Sequence, residues 1–176
     1  MKKVMLIAGL MAASTAFAGD DSYMEFSHIG LKYTEPGITT KPTAFRGILG
    51  FKQSDSLAYE AVLGTGISDG TFRYYNANGT LGVSSMVGFF AKASNKLSDD
   101  VEVFARAGLV SAKVDGSASA GGYRVSQGSS GSDFAYGVGI KYNLTKDYGL
   151  VLDYMNYYNK SDIKIQGLSV GVSLKY

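Results

Sequence analysis

The sequence predicts an all-β protein, an eight-stranded antiparallel up-and-down transmembrane β-barrel preceded by a cleaved signal peptide. Three observations predict it. A short apolar leader opens the chain, apolar and polar residues alternate in segment after segment, and charge is too sparse for a fully water-facing surface.

The leader comes first. Lys2 and Lys3 precede an uncharged apolar run from Val4 to Ala13, and Ser14-Thr15-Ala16-Phe17-Ala18 supplies an A-x-A site before Gly19. A basic start, a short apolar stretch and a small-residue site mark a secretory signal. About ten apolar residues are too few to cross a bilayer as a helix. The expected domains are a removed signal, residues 1–18, and an outer-membrane barrel, residues 19–176.

Removal of the signal changes the charge argument. The chain holds 17 basic and 15 acidic residues, for a net charge of +2. Both leader lysines leave, so fifteen of each sign remain and the mature chain is neutral. No nucleic-acid partner is expected of it. Cysteine is absent, which excludes a disulfide framework, a thiolate nucleophile and a zinc-thiolate site. Charged residues make up 18% of the chain, against about 25% in ordinary soluble domains. Glycine is abundant at 23, and 13 Tyr and 9 Phe occur without Trp.

After the leader no apolar run is long enough for a membrane helix, and what recurs is period two. Leu168, Val170, Val172, Leu174 and Tyr176 alternate with Ser169, Gly171, Ser173 and Lys175. Val101, Val103, Ala105, Ala107 and Leu109 alternate with Glu102, Phe104, Arg106, Gly108 and Val110. Tyr136, Val138, Ile140 and Tyr142 do so with Gly137, Gly139 and Lys141. Strands are expected near 23–33, 43–52, 57–66, 81–93, 101–112, 133–143, 148–157 and 165–176. In the first, Glu25 and Phe26 break the alternation, and a bulge is expected to reset it.

The connections alternate in length. Short polar turns are expected at 53–56, 94–100 and 144–147, and long loops at 34–42, 67–80, 113–132 and 158–164. The loop at 113–132, rich in Gly and Ser, is expected to be mobile. Short turns at one rim and long loops at the other are the pattern of outer-membrane barrels.

Alternation alone does not say which face meets lipid. The polar faces carry glycines (Gly50, Gly64, Gly88, Gly108, Gly137, Gly139, Gly171) that suit a crowded tube interior. Their charges come in both signs, so Lys32, Arg46, Glu60, Lys92, Glu102, Arg106, Lys141 and Asp153 are expected to form a lumen network. Buried charges persist only when paired. Around a turn centred near residue 97, Lys92 is expected to face Glu102. On the apolar faces, Phe51, Tyr142, Tyr148 and Tyr176 at the short-turn rim and Tyr33 and Tyr154 towards the other suggest an aromatic girdle. In hydrocarbon every backbone polar group needs a partner, so the first and last strands must pair.

These segments resemble the small outer-membrane β-barrel family that includes outer-membrane protein X and the transmembrane domain of outer-membrane protein A. The residues that carry the resemblance are Gly50-Phe51-Lys52 through Leu57-Ala58-Tyr59-Glu60, Tyr136 to Tyr142 through Asp147 to Leu152-Asp153-Tyr154, and the terminal Leu168 to Tyr176. The resemblance implies the outer membrane of a Gram-negative bacterium and a porin-like barrel domain. It implies lipid and lipopolysaccharide as surroundings. The last segment (Leu168, Val170, Val172, Leu174, Tyr176) would be the signal read by the barrel-assembly machinery, although the family usually ends in Phe.

Chemistry is thin. His28, the single histidine, would need Glu25, Ser27 or Ser169 beside it to act as a base, and no hydrolase or acyltransferase motif accompanies it. No metal set and no cofactor site is expected, and Asp69-Gly70 and Asp115-Gly116 are turn dipeptides. Eight strands enclose little more than side chains, so with Met86 also inward a plugged lumen is expected. The favoured role is a non-enzymatic, monomeric surface barrel that serves envelope structure, adhesion or ligand contact through residues 67–80 and 113–132. Alternatives are a narrow porin-like channel for small solutes, a lipid A-modifying enzyme, and a soluble lipocalin-like carrier. The last is disfavoured by the absence of Trp.

Overall fold

The computed structural model describes residues 22–74, 77–120 and 123–175. The leader and Tyr176, and with them the expected signal and the last girdle and assembly-signal residue, lie outside the described residues. The strands are β1 (Ser22–Glu35), β2 (Ile38–Thr40), β3 (Thr43–Lys52), β4 (Leu57–Ser68), β5 (Gly70–Tyr74), β6 (Ala77–Lys96), β7 (Val101–Ala120), β8 (Tyr123–Asn143), β9 (Tyr148–Lys160) and β10 (Ile163–Lys175). The short β2 and β5 pair only with β1 and β6 respectively. The other eight form the barrel wall, each antiparallel to its neighbours, and β10 returns to β1 from Tyr23↔Lys175 to Thr34↔Lys164. The sheet closes as the need for satisfied backbone groups demands.

The register fixes the shape. Once round the wall, Ser22 leads through Phe51, Tyr59, Ala91, Ala107, Tyr136, Asn156 and Gln166 to Lys32, ten residues further along β1. Such a stagger in eight strands tilts them by about 40° and leaves room inside for side chains only.

The three short turns share one design. Ser54, Ser98 and Thr145 each accept, through the side-chain hydroxyl, the backbone N–H of the first residue of the next strand, at 3.2, 3.1 and 3.0 Å. Side-chain hydroxyls that mimic a backbone turn are a known use of Ser and Thr. Backbone bonds from Ser94 to Ser56, Asn143 to Asp100 and Lys175 to Asp147 join these turns and the end of β10 into one rim. The second turn begins at Leu97, not Ser94, so its centre lies near residue 99. Lys92 therefore sits opposite Arg106 rather than Glu102.

The other rim departs further from expectation. Residues 113–120 pair with 123–130, so the expected mobile loop is a continuation of β7 and β8 as a hairpin. Within 67–80, β5 folds back on β6. The expected loop at 158–164 is a tight turn at Ser161 and Asp162, with φ of 51° and 66°. Gly- and Ser-rich sequence suggested mobility, but the two hairpin arms satisfy each other's backbone, which needs no apolar side chain.

The strand faces follow the alternation in the wall strands except β1 and the start of β10. The departure on β1 is the larger. There Tyr23, Glu25, Ser27, Ile29, Leu31 and Tyr33 are buried inside, whereas His28, Gly30 and Lys32 are exposed outside. No register shift interrupts β1 against β3 or β10. The expected bulge is absent from these pairings, and the strand is turned over relative to the sequence reading. A slip by one residue exchanges the two faces. Tyr33 is thus a lumen residue, not part of a girdle, and Lys32 is no member of the lumen network.

Candidate functional site

The lumen has two halves of opposite character. On the short-turn side it is filled by ion pairs. Arg106, on β7, donates from Nε to Glu60 Oε2 at 2.6 Å, from Nη1 to Asp153 Oδ2 at 2.8 Å, and from Nη2 to Glu60 Oε1 at 3.1 Å and to Glu25. Arg46, on β3, donates from Nη2 to Asp153 Oδ2 at 2.5 Å and to Ser169 Oγ at 2.9 Å, from Nε to Ser27 Oγ at 3.0 Å, and from Nη1 to the Tyr157 hydroxyl at 2.9 Å. Ser169 and Tyr23 donate in turn to Asp153 at 2.6 Å and Glu60 at 2.5 Å. Planar guanidinium groups with several fixed donors suit such a many-sided site.

Lys92 reaches down the lumen to Glu102 at 3.0 Å and lies 3.8 Å from Glu25. The expected ion pair therefore forms diagonally, by way of the long lysine stem, and not across the strand register. The ammonium also sits 4.4 Å from the Phe104 ring centroid and 5.1 Å from that of Tyr23, where an aromatic face attracts a cation. Lys141 is half-buried and stands opposite Glu102. The plug thus joins the cations Arg46, Lys92 and Arg106 to the carboxylates Glu25, Glu60, Glu102 and Asp153, with the half-buried Lys52 and Lys141 at its edge.

Glycine makes the plug possible at two points. A Cβ on Gly50 would fall within the ring of Tyr23, and one on Gly139 would lie 2.7 Å from the Cβ of Asp153.

On the long-hairpin side the interior turns apolar. Ile29, Leu31, Ala44, Val62, Met86, Phe90, Val110, Ala135, Met155 and Tyr157 form one buried cluster. Above it opens a cup of about 410 Å³, lined mainly by Ile29, Leu31, Val83, Met86, Val110, Ala112 and Ile165 and floored by Tyr157. Its polar lining residues include Glu35, Gln127, Ser129 and Ser130. Tyr33 donates to Glu35 at 2.5 Å.

The outer wall is apolar. Leu109 is 67% exposed, Val138 62% and Phe89 60%, with Leu150, Leu152, Leu168, Val170 and Val172 on the same surface. A continuous apolar belt of this size on a soluble protein would be an aggregation site; against lipid it is the required surface. Phe51, Tyr142, Tyr148 and Tyr154 belong to this wall, each about half exposed. So do Leu168, Val170 and Val172, while Leu174 is partly covered.

The eight residues expected in the lumen thus divide seven to one, Lys32 lying outside. Sequence reasoning missed Glu25, Tyr23, Ser27, Ser169 and Tyr157 as partners. The break at Glu25 was the available signal: a carboxylate amid apolar residues in a membrane strand has to face the interior. His28 is exposed on the outer wall opposite Val170, whereas Glu25, Ser27 and Ser169 face inward. The triad considered for it does not assemble, and His28 is not a lumen residue. Among the described residues no cluster of three or more His, Cys, Asp or Glu is arranged to hold a metal ion.

Comparisons with known proteins agree with the architecture. The family model for the outer membrane protein beta-barrel domain matches residues 4–176. No curated protein matches the chain. Among solved structures, Neisserial surface protein A is similar at a TM-score of 0.64 and 18% identity, covering 89% of this chain and 97% of that one. Ail, the attachment invasion locus protein of Yersinia pestis, gives 0.62 and 15%, covering 88% and 97%; Ail has also been solved with the heparin analogue sucrose octasulfate. The N-terminal β-barrel domain of Pseudomonas aeruginosa OprF gives 0.53 and 16%, covering 89% and 100%.

Proposed function

The chain belongs to the outer membrane protein beta-barrel domain family and lies in the outer membrane, and from that premise we propose that it is a non-catalytic surface barrel with a sealed lumen. Its working surface is then the long-hairpin rim, built from β2, β5 and the projecting ends of β6, β7 and β8. The observation that carries this reading is the ion-pair plug: Arg46, Arg106, Glu25, Glu60 and Asp153 are each no more than 2% exposed and fill the narrow lumen. A solute path through that layer would have to separate buried ion pairs, which is costly.

The rim carries charges of both signs. Lys41, Arg73, Lys113, Lys160 and Lys164 are exposed there, against exposed Asp69, Asp115 and Asp162. The exposed cations suit anionic partners, such as lipopolysaccharide phosphates or a sulfated polysaccharide. Sucrose octasulfate, bound by Ail, is a ready probe.

Two measurements test the reading. Reconstituted in planar bilayers, the protein is expected to give no steady conductance; a stable open level would overturn the sealed lumen. Removal of residues 116–127 joins Asp115 to Gly128, neighbours in the present register, as an Asp-Gly hairpin turn. That variant is expected to assemble normally and to lose cell attachment and sulfated-ligand binding. Undiminished binding would place the working surface elsewhere.

A further inference from the structure

We propose that the apolar cup is a binding site for a single alkyl chain with an uncharged or cationic head, entering by way of the surrounding membrane. The inference rests on the sealed floor described above, and four observations carry it.

The first is size. About 410 Å³ holds roughly a dozen methylene groups, each taking about the volume of one water. The second is the lining. Ile29, Leu31, Val83, Met86, Val110 and Ile165 offer no hydrogen bond, so the space suits hydrocarbon better than water. Small residues, Ala44, Ala112, Gly116 and Gly131, stand where larger ones would fill the lumen, as Phe90 and Arg106 fill it below.

Charge is the third. Among the described residues, Glu35 is the one charged group of the lining, and Tyr33 and Tyr158 line the cup with it. A carboxylate among aromatic rings receives an ammonium group and repels a carboxylate head. The fourth is access. Pairing between β8 and β9 stops at Tyr136↔Asn156. At that last pair Asn156 Nδ2 donates to the Tyr136 hydroxyl at 3.1 Å, and beyond it the wall is bridged by side chains: Asp133 Oδ2 accepts the Asn159 N–H at 2.9 Å and Tyr158 lies against Gly131. Leu109 and Phe134, paired on β7 and β8 beside this seam, are both more than half exposed on the lipid-facing wall. Side chains part more readily than a hydrogen-bonded ladder, so a chain can pass from lipid to cup.

The methionines supply the test. Residues 19–176 contain three, Met24, Met86 and Met155. Met86 lines the cup, Met155 is buried beneath it in the same cluster, and Met24 is not part of the lumen lining. The mature protein, labelled with ¹³C at the methionine methyls and held in phospholipid nanodiscs, is titrated with dodecyltrimethylammonium and, separately, with laurate. The expected result is a saturable Met86 shift, several-fold tighter for the ammonium than for the carboxylate, while Met24 shifts in proportion to amphiphile in the bilayer. Ala112→Phe should abolish the saturable shift. Glu35→Gln should keep it and remove the head-group preference. A Met86 response that merely tracks Met24 overturns the proposal, as does a saturable shift that survives Ala112→Phe; a laurate preference overturns the head-group assignment. Bilayer conductance of the same preparation separates the two readings. A silent bilayer with an unresponsive Met86 sinks the cup alone, and an open channel with a saturable Met86 shift sinks the sealed lumen alone.

Discussion

Replacement of Arg106 by Met is expected to be among the most damaging single changes in the barrel. Methionine keeps much of the length and loses all four hydrogen bonds to Glu25, Glu60 and Asp153. Asp153 retains Arg46, and Glu25 retains Lys92 at 3.8 Å, but Glu60 keeps only the Tyr23 hydroxyl. The stranded charge is therefore that of Glu60. Removing one partner from a buried pair costs about 3–5 kcal/mol. With a urea dependence of about 2–3 kcal/mol per molar, the unfolding midpoint falls by about 1–2.5 M. The assay is urea unfolding in lipid, followed by the loss of β circular dichroism and by the heat-dependent gel shift of folded barrels. Arg106→Met with Glu60→Gln should recover about 2 kcal/mol relative to the sum of the single variants, since the second change removes the uncompensated charge. A single-variant loss below about 1 kcal/mol would mean that water reaches the plug and screens it. Simple additivity in the double variant would mean that the two groups do not act on each other, and either result refutes the reasoning.

Three further expectations follow from the same geometry. Gly50→Val drives a side chain into the Tyr23 ring and should destabilise by about 1–3 kcal/mol, with partial recovery in Tyr23→Ala; equal losses with and without Tyr23 would dismiss the clash. Val138→Arg places a charge on the lipid face at a site 62% exposed and should cost about 2–4 kcal/mol if it lies near the midplane, readable as a lowered urea midpoint in lipid. Ser161 and Asp162 hold positive φ, so Ser161→Asn with Asp162→Gly should raise the midpoint by an amount worth about 0.5–1 kcal/mol, and a lowered one would show that the native side chains compensate the strain.

Strand number, order and closure were legible in the sequence because each depends on features that repeat along it. Polar or glycine-rich composition marked the connections, the three short ones to within a few residues. Their form was less legible: a Gly/Ser run such as 113–132 has the composition of a flexible loop, and only pairing with the other arm makes it a hairpin. The Lys92–Glu102 pair shows a second limit. The two residues do meet, but through a lysine stem reaching down a tilted lumen, so a correct contact came from a register that was off by two residues at the turn centre.

The failure on β1 is the most informative, because its cause is physical and not statistical. In its first half the apolar Met24 and Phe26 share the outer face while Glu25 and Ser27 point into the polar plug; in its second half Ile29, Leu31 and Tyr33 point inward while His28, Gly30 and Lys32 point out. The hydrophobic phase reverses in an unbroken strand. Alternation reports the difference between two surroundings, lipid outside and lumen inside, and it reverses when the lumen becomes the more apolar of the two. β10 makes the same reversal, from outward Leu168, Val170 and Val172 to the cup-lining Ile163 and Ile165, although there a register shift at Ile165/Gln166 intervenes. β1 and β10 are adjacent in the closed wall, so the two reversals lie side by side where the plug gives way to the cup. A break in alternation along an unbroken barrel strand is therefore a sign that the lumen lining changes character there, and in β1 the break expected as a bulge is that change.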